Sequence, residues 1–229
     1  MRNTLIIFVA LIQVTSTTAY GQNKKMLIEQ IAGKRIVRQN FDQNGDLQSK
    51  QIFLTGELKQ EDKTFRIEVI TELYDKSSQL TKKYTTTYQC NPKEYDVLLN
   101  VFPFSDPGDE KIKVEVTSKD FQQLYELGQE KELEDIHLKM TVESGALSFF
   151  GSKSLLTLRN RKMEITDQSV KITGEAVVKI FMIGIRVKMI NYIIEEYLSK
   201  EFLLQDQKFI EDNESYFTMH YEQKIKENQ

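Results

Sequence analysis

The chain has 229 residues, a formal charge of −3, one cysteine and no tryptophan. That length is one domain's worth of core, and a mildly acidic surface of mixed sign excludes a nucleic-acid partner, which needs a concentrated basic face. The lone Cys90 excludes an intramolecular disulfide and a thiolate metal set, and is read as a buried structural thiol.

At the start, Arg2 precedes an apolar run from Leu5 to Val14 and a short polar segment with small residues. That is the order of a secretory signal peptide, and the run is too short to span a bilayer. Residues 1–21 are expected to be removed, leaving a single antiparallel β domain over 22–229 that begins at Gln22. Cleavage after Ala19 instead of Gly21 meets the same small-residue requirement. Losing Arg2 takes the charge from −3 to −4. No cysteine follows the apolar run, so no lipoprotein acyl anchor is expected. No later stretch reaches the uninterrupted apolar length of a transmembrane helix. The expected location is periplasmic or secreted.

After a short helix expected at 24–32, the dominant period is two. "TFRIEVITEL" sets Phe65, Ile67, Val69 and Leu73 against Arg66, Glu68 and Glu72. "KIKVEV" alternates Ile112, Val114 and Val116 with Lys111, Lys113 and Glu115, and "DIHLKMTVE" does the same with Ile136, Leu138, Met140 and Val142. Such alternation marks strands with one buried and one wet face, hence antiparallel sheet. Turn-rich segments such as "DQNGD", "YDKSS", "TDQS" and "EDNES" separate these runs every 10–15 residues or so. The fold class this gives is all-β: a strongly curved antiparallel sheet or open β-barrel with one or two short helices. Those helices are expected in "NPKEYDVLLNVF" (91–102), after an Asn-Pro start signal, and in "SKDFQQLYELG" (118–128), between an N-capping Ser118 and Gly128.

Residues 176–194, "AVVKIFMIGIRVKMINYII", form the most apolar stretch beyond the first 21 residues. β-Branched residues and alternation argue for one long strand or two, with Gly184 at a bend, over an amphipathic membrane helix. Straight alternation would point Phe181, Ile183, Ile185, Val187 and Met189 inward, with Arg186 and Lys188 toward solvent. Ile185→Asp would then unfold the protein while Lys188→Asp is tolerated.

In "FDQNGDLQSKQIF", Asp42, Asn44 and Asp46 alternate as the first ligands of an EF-hand do. The loop also needs glycine at its sixth position and glutamate at its twelfth, where this chain has Leu47 and Phe53. Asn44-Gly45 is therefore read as a hairpin turn that holds no calcium. The two histidines, His137 and His220, belong to no metal-spaced cluster. There is no Gly-x-Ser-x-Gly elbow, phosphate loop or dinucleotide fingerprint. No catalytic, cofactor-binding or metal residue is assigned, no cofactor is expected, and the protein is read as not an enzyme; ligand-binding residues are unknown at this level.

Four features, in chain order, resemble one family of exported bacterial proteins. They are "NFDQNGDL"; the strand "KKYTTTYQC" leading into "PKEYDVLLN"; the hairpin "LRNRKMEITDQSVKITGEAVVKI"; and the closing strands in "EEYLSKEFLLQDQKFIEDNESYFTMHYEQ". The chain is identified as a divergent member of the TapB-like family, cell-envelope proteins containing a domain of unknown function. It departs at Val177 and Val178, where relatives carry a second cysteine, and in "EEYLSKEFLL", which lacks their Trp and Gly. The resemblance implies a single curved antiparallel sheet or open barrel and brings no catalytic residues. An exported non-enzymatic module that binds an apolar small molecule or lipid is the leading expectation. Phe, Tyr and seven Met supply adaptable lining, although the same residues also suit a filled core. The alternative is a structural or assembly accessory that holds an envelope protein partner through a sheet edge or loop.

Overall fold

A computed structural model describes residues 31–61, 64–91, 96–97, 112–116, 132–142, 153–182 and 184–223. The expected signal peptide, the 118–128 helix and all but the end of the 24–32 helix lie outside these residues.

Fourteen strands form one antiparallel sheet. They are β1 (Lys34–Phe41), β2 (Leu47–Thr55), β3 (Lys59–Glu61), β4 (Thr64–Asp75), β5 (Leu80–Asn91), β6 (Asp96–Val97), β7 (Ile112–Val116), β8 (Glu132–Leu133), β9 (Ile136–Val142), β10 (Lys153–Ile165), β11 (Val170–Met182), β12 (Ile185–Leu198), β13 (Leu204–Glu211) and β14 (Tyr216–Gln223). β3 and β8 are short side ladders on β4 and β10. The others run as a meander in which neighbours in sequence pair, and β14 returns to pair with β1 from Lys34↔Gln223 to Phe41↔Tyr216. β10 pairs with β9 on one edge and β11 on the other, so the sheet curves round on itself.

Among the described residues the barrel is open along β5. One edge of this strand pairs with β4 over most of its length, while the other meets only β6, at Cys90↔Val97 and Asn91↔Asp96. β6 in turn touches β7 at the single register pair Asp96↔Glu115. Among the described residues no ladder borders that edge from Leu80 to Gln89. β6 also corrects one expectation: Asp96–Val97, at the middle of the helix expected over 91–102, is extended. The β-branched Val97 and the end of β5, whose backbone groups need partners, outweigh the Asn-Pro start signal there.

The inward phase of each strand is the one alternation indicated in β4 and β9. Ile67 and Val69 are buried while Glu68 is exposed, and buried Ile136 precedes exposed His137. Ile36, Ile67, Val69, Ile136, Leu156, Ala176, Ile194, Phe209 and Met219, from strands all round the sheet, meet in one cluster. Inside it Phe209 and Phe217 stack at 4.5 Å, and Tyr192 meets both rings edge-on. That part of the interior is a filled core. A smaller cluster of Met163, Val170, Ile172, Leu198 and Phe202 closes one end.

Four turns share one construction. In each, the N–H of the first residue donates to the carbonyl four residues on, and the N–H of the fourth donates back to the first: Asp42/Asp46 with Gly45, Asp75/Gln79 with Ser78, Ser199/Leu203 with Phe202, and Glu211/Ser215 with Glu214. The fourth residue is left-handed every time, at φ 84°, 60°, 58° and 68°. The Asn44-Gly45 hairpin is thus observed, with positive φ at Gly45 alone. The Asp42 carboxylate spends Oδ1 on the N–H groups of Asn44 and Asp46 and Oδ2 on the Gln48 amide.

The "LRNRKMEI" segment contains a β-bulge. β10 slips against β11 between Arg159 and Lys162, with Asn160 at φ 53°. Glu175 pins it by accepting from Arg159 Nε at 2.9 Å and Asn160 Nδ2 at 3.0 Å. The bulge turns Arg161 inward against Gly174, where a Cβ would stand 3.0 Å from Arg161 Cγ and 3.2 Å from the Arg159 carbonyl oxygen. Only glycine leaves that space free.

Candidate functional site

Residues 176–194 form two strands, with Gly184 in the tip of the β11–β12 hairpin. Of the expected inward row, Ile183 lies outside the described residues, Phe181 is half-buried, and the other three are exposed. Ile185, Val187 and Met189 are 68%, 54% and 49% exposed, and Arg186 and Lys188 are exposed beside them. Two physical reasons account for the difference. The inward phase of β12 is set by Tyr192, Ile194 and Leu198, which are even-numbered. Nearer the tip, Lys188 faces Ile180 whereas Arg186 faces Phe181, so Val187 is an extra residue and the alternation breaks. Beyond Tyr192↔Glu211 the hairpin also outruns β13, so β12 has no paired strand on that edge among the described residues, while β10 still borders β11 as far as Phe181.

The histidines are apart and on the surface. His137 Nδ1 lies 3.2 Å from Thr157 Oγ1, and His220 Nδ1 contacts Asp206. Cys90 is placed in β5, with its side chain outside the described set. The outer face is otherwise tied by ion pairs such as Arg35–Glu222 at 2.7 Å and Lys171–Glu195 at 2.9 Å.

The concave face of β1, β2, β4 and β5 carries the chemistry that composition did not reveal. Arg38 is in phase with buried Ile36 and therefore projects inward. Its guanidinium carbon is 4.5 Å from the centre of the Phe217 ring, and Nη1 lies 3.5 Å from Gln51 Oε1. Burial pushes the guanidinium down to about 10, which leaves it cationic at neutral pH. Register carries a row from Arg38 across Gln51 and Leu73 to Lys82, whose Nζ is 5.1 Å from the Tyr84 ring centre. The next row in is Ile36, Phe53, Thr71 and Tyr84. Among the described residues the buried Thr71 hydroxyl has no hydrogen-bond partner. Two cations at the ends of one row, over aromatic and aliphatic side chains and beside the open edge of β5, suit a ligand with an anionic group and an apolar body. "KRIVRQNF" carried no clear signal for Arg38, because the inward positions hold Lys34, Ile36, Arg38 and Asn40 while apolar Val37 and Phe41 fall on the other phase.

No family model matches the chain, and no curated protein does. Two solved structures are similar in fold. One is a candidate lipoprotein from Parabacteroides distasonis ATCC 8503, at TM-score 0.49 and 14% identity over 88% of this chain and 99% of that one. The other is a candidate exported protein with a YmcC-like fold from Bacteroides fragilis NCTC 9343, at TM-score 0.47 and 11% identity over 84% of this chain and 95% of that one. Neither description names an activity.

Proposed function

We propose that the protein is an exported, non-enzymatic binding module of the cell envelope whose concave face takes a small apolar molecule or lipid bearing an anionic group. The observation that carries this reading is the inward Arg38, held between Phe217 and Gln51 in a row that ends in Lys82. A guanidinium turned into a barrel presents planar donors that form charge-assisted hydrogen bonds with an anionic group reaching it. Export, with a mature chain of one domain beginning near Gln22 in the periplasm or medium, is supported by the apolar run Leu5–Val14. Membership of the TapB-like family rests on the turn and hairpin motifs, of which "NFDQNGDL" and "LRNRKMEI" fold into the two features just described.

The open edge of β5 favours a second reading, a protein partner that adds a strand there. Native mass spectrometry of the protein taken from its own envelope separates the two. A bound small molecule, lost in Arg38→Met with the fold retained, is the expected result. A bound polypeptide insensitive to Arg38→Met would establish the second reading, and an empty protein would overturn the first.

A further inference from the structure

The tip of the β11–β12 hairpin is unlike the rest of the surface. From Ala176 to Ile194 there are three cations, Lys179, Arg186 and Lys188, and no acid, in a chain whose net charge is −3. Ile185, Val187 and Met189, all about half exposed or more, lie among those cations, and Ile193 continues the apolar run at 58% exposure. The free edge of β12 from Ile185 to Asn191 has no paired strand among the described residues. Seven residues of strand reach roughly 20 Å past the end of β13. Water alone is a poor neighbour for so many adjacent apolar side chains, and nothing in the core requires them, since the inward phase of β12 is satisfied by Tyr192, Ile194 and Leu198.

From this juxtaposition of exposed apolar side chains with acid-free positive charge on a hairpin that outruns β13, we infer that the tip docks the protein on an anionic lipid surface. The apolar side chains enter the boundary between headgroups and acyl chains, while the long stems of Arg186, Lys188 and Lys179 carry their charges to the phosphates. The bulge at Val187 spreads both kinds of side chain over both faces of the hairpin, which suits entry by the tip. The open backbone groups of the β12 edge confine that entry to the hydrated headgroup layer. This inference uses the outer end of the barrel and stands or falls independently of the concave-face site.

Vesicle flotation tests it, with the protein as recovered from its exporting cells. One set of vesicles contains equal parts of phosphatidylglycerol and phosphatidylcholine, and the other phosphatidylcholine alone. The parent is expected to float with the anionic vesicles and to remain behind with the neutral ones. Arg186→Glu with Lys188→Glu is expected to weaken binding roughly tenfold or more, given the strength of each basic side chain at such a surface. Val187→Ser with Met189→Ser is expected to weaken it comparably, while Lys59→Glu with Lys76→Glu, an equal charge change at exposed positions of β3 and the β4–β5 turn, is expected to leave it unchanged. Thermal unfolding of each variant checks that the fold is retained. Equal binding to both vesicle types, no binding to either, or variants at the tip that bind as the parent does would overturn the inference.

Discussion

Glu72, on the outer face of β4, has both carboxylate oxygens engaged. Oε1 accepts from Lys83 Nζ at 2.9 Å and Oε2 from the Tyr74 hydroxyl at 2.8 Å. The hydrogen bond from Lys83, then that from Tyr74, holds its pKa below the ordinary carboxylate value against the opposing effect of burial. A carboxyl depressed in this way contributes stability above its unfolded pKa and loses it as pH falls through its folded one. Glu72→Gln is therefore expected to be less stable than the parent at pH 7, by about 1 kcal/mol or less because Lys83 is exposed. Urea unfolding at decreasing pH should show that gap closing through the carboxylate range. A gap independent of pH would mean that the charge contributes nothing and only shape was lost.

Elements show where alternation serves as a guide and where it fails. In β4 and β9 it identified the core face because those strands lie within the sheet, with neighbours to bury one side. At the tip of β12 it failed, since a bulge and an edge without a partner beyond β13 remove the constraint that makes parity informative. Ile185→Asp is accordingly expected to change stability by no more than about 0.5 kcal/mol, contrary to the expectation from sequence. Ile194→Asp, at a position 6% exposed within the main core, should cost about 4 kcal/mol or more; thermal unfolding of the pair decides. The four matching turns make a second test. Gly45 meets the left-handed requirement without strain, whereas Glu214 meets it at the cost borne by any side chain with a Cβ. Glu214→Gly is expected to raise stability by about 0.5–1 kcal/mol. Phe202, left-handed as well, should not respond in that way, because its ring fills the smaller core. Three of the turns were legible as clusters of Asp, Asn, Ser and Gly, whereas the fourth, Ser199–Leu203, lies inside "EEYLSKEFLL", which was read as strand. Their common construction was not legible, because three of the four lack the glycine that would have announced it.

At the scale of the molecule, the all-β class and the curved antiparallel sheet could be read from period two and regular turn spacing. What could not be read is which strands meet across the barrel. The β14–β1 ladder and the core that collects Ile67, Ala176 and Phe209 depend on pairings between distant segments, and local pattern carries no information about those. The concave row was hidden for the same reason, since Arg38, Leu73 and Lys82 become neighbours only through three successive ladders. Within the helix expected over 91–102, Asp96 and Val97 are extended through the same dependence, being recruited by the end of β5 and by β7.

The ladder between the first and last strands also governs when the protein can fold. β1 ends at Phe41, and the strand that completes its pairing does not begin until Tyr216. At the pace of a ribosome, the interval between them is on the order of ten seconds or more. Through that time the Ile36 side of β1 has no finished core to enter, and contacts so distant in sequence form slowly even once every residue is present. A polypeptide arranged in this way stays unfolded until almost all of it has been made, a condition that would suit the proposed export, since a chain still open could be threaded through a narrow pore before it closes on itself.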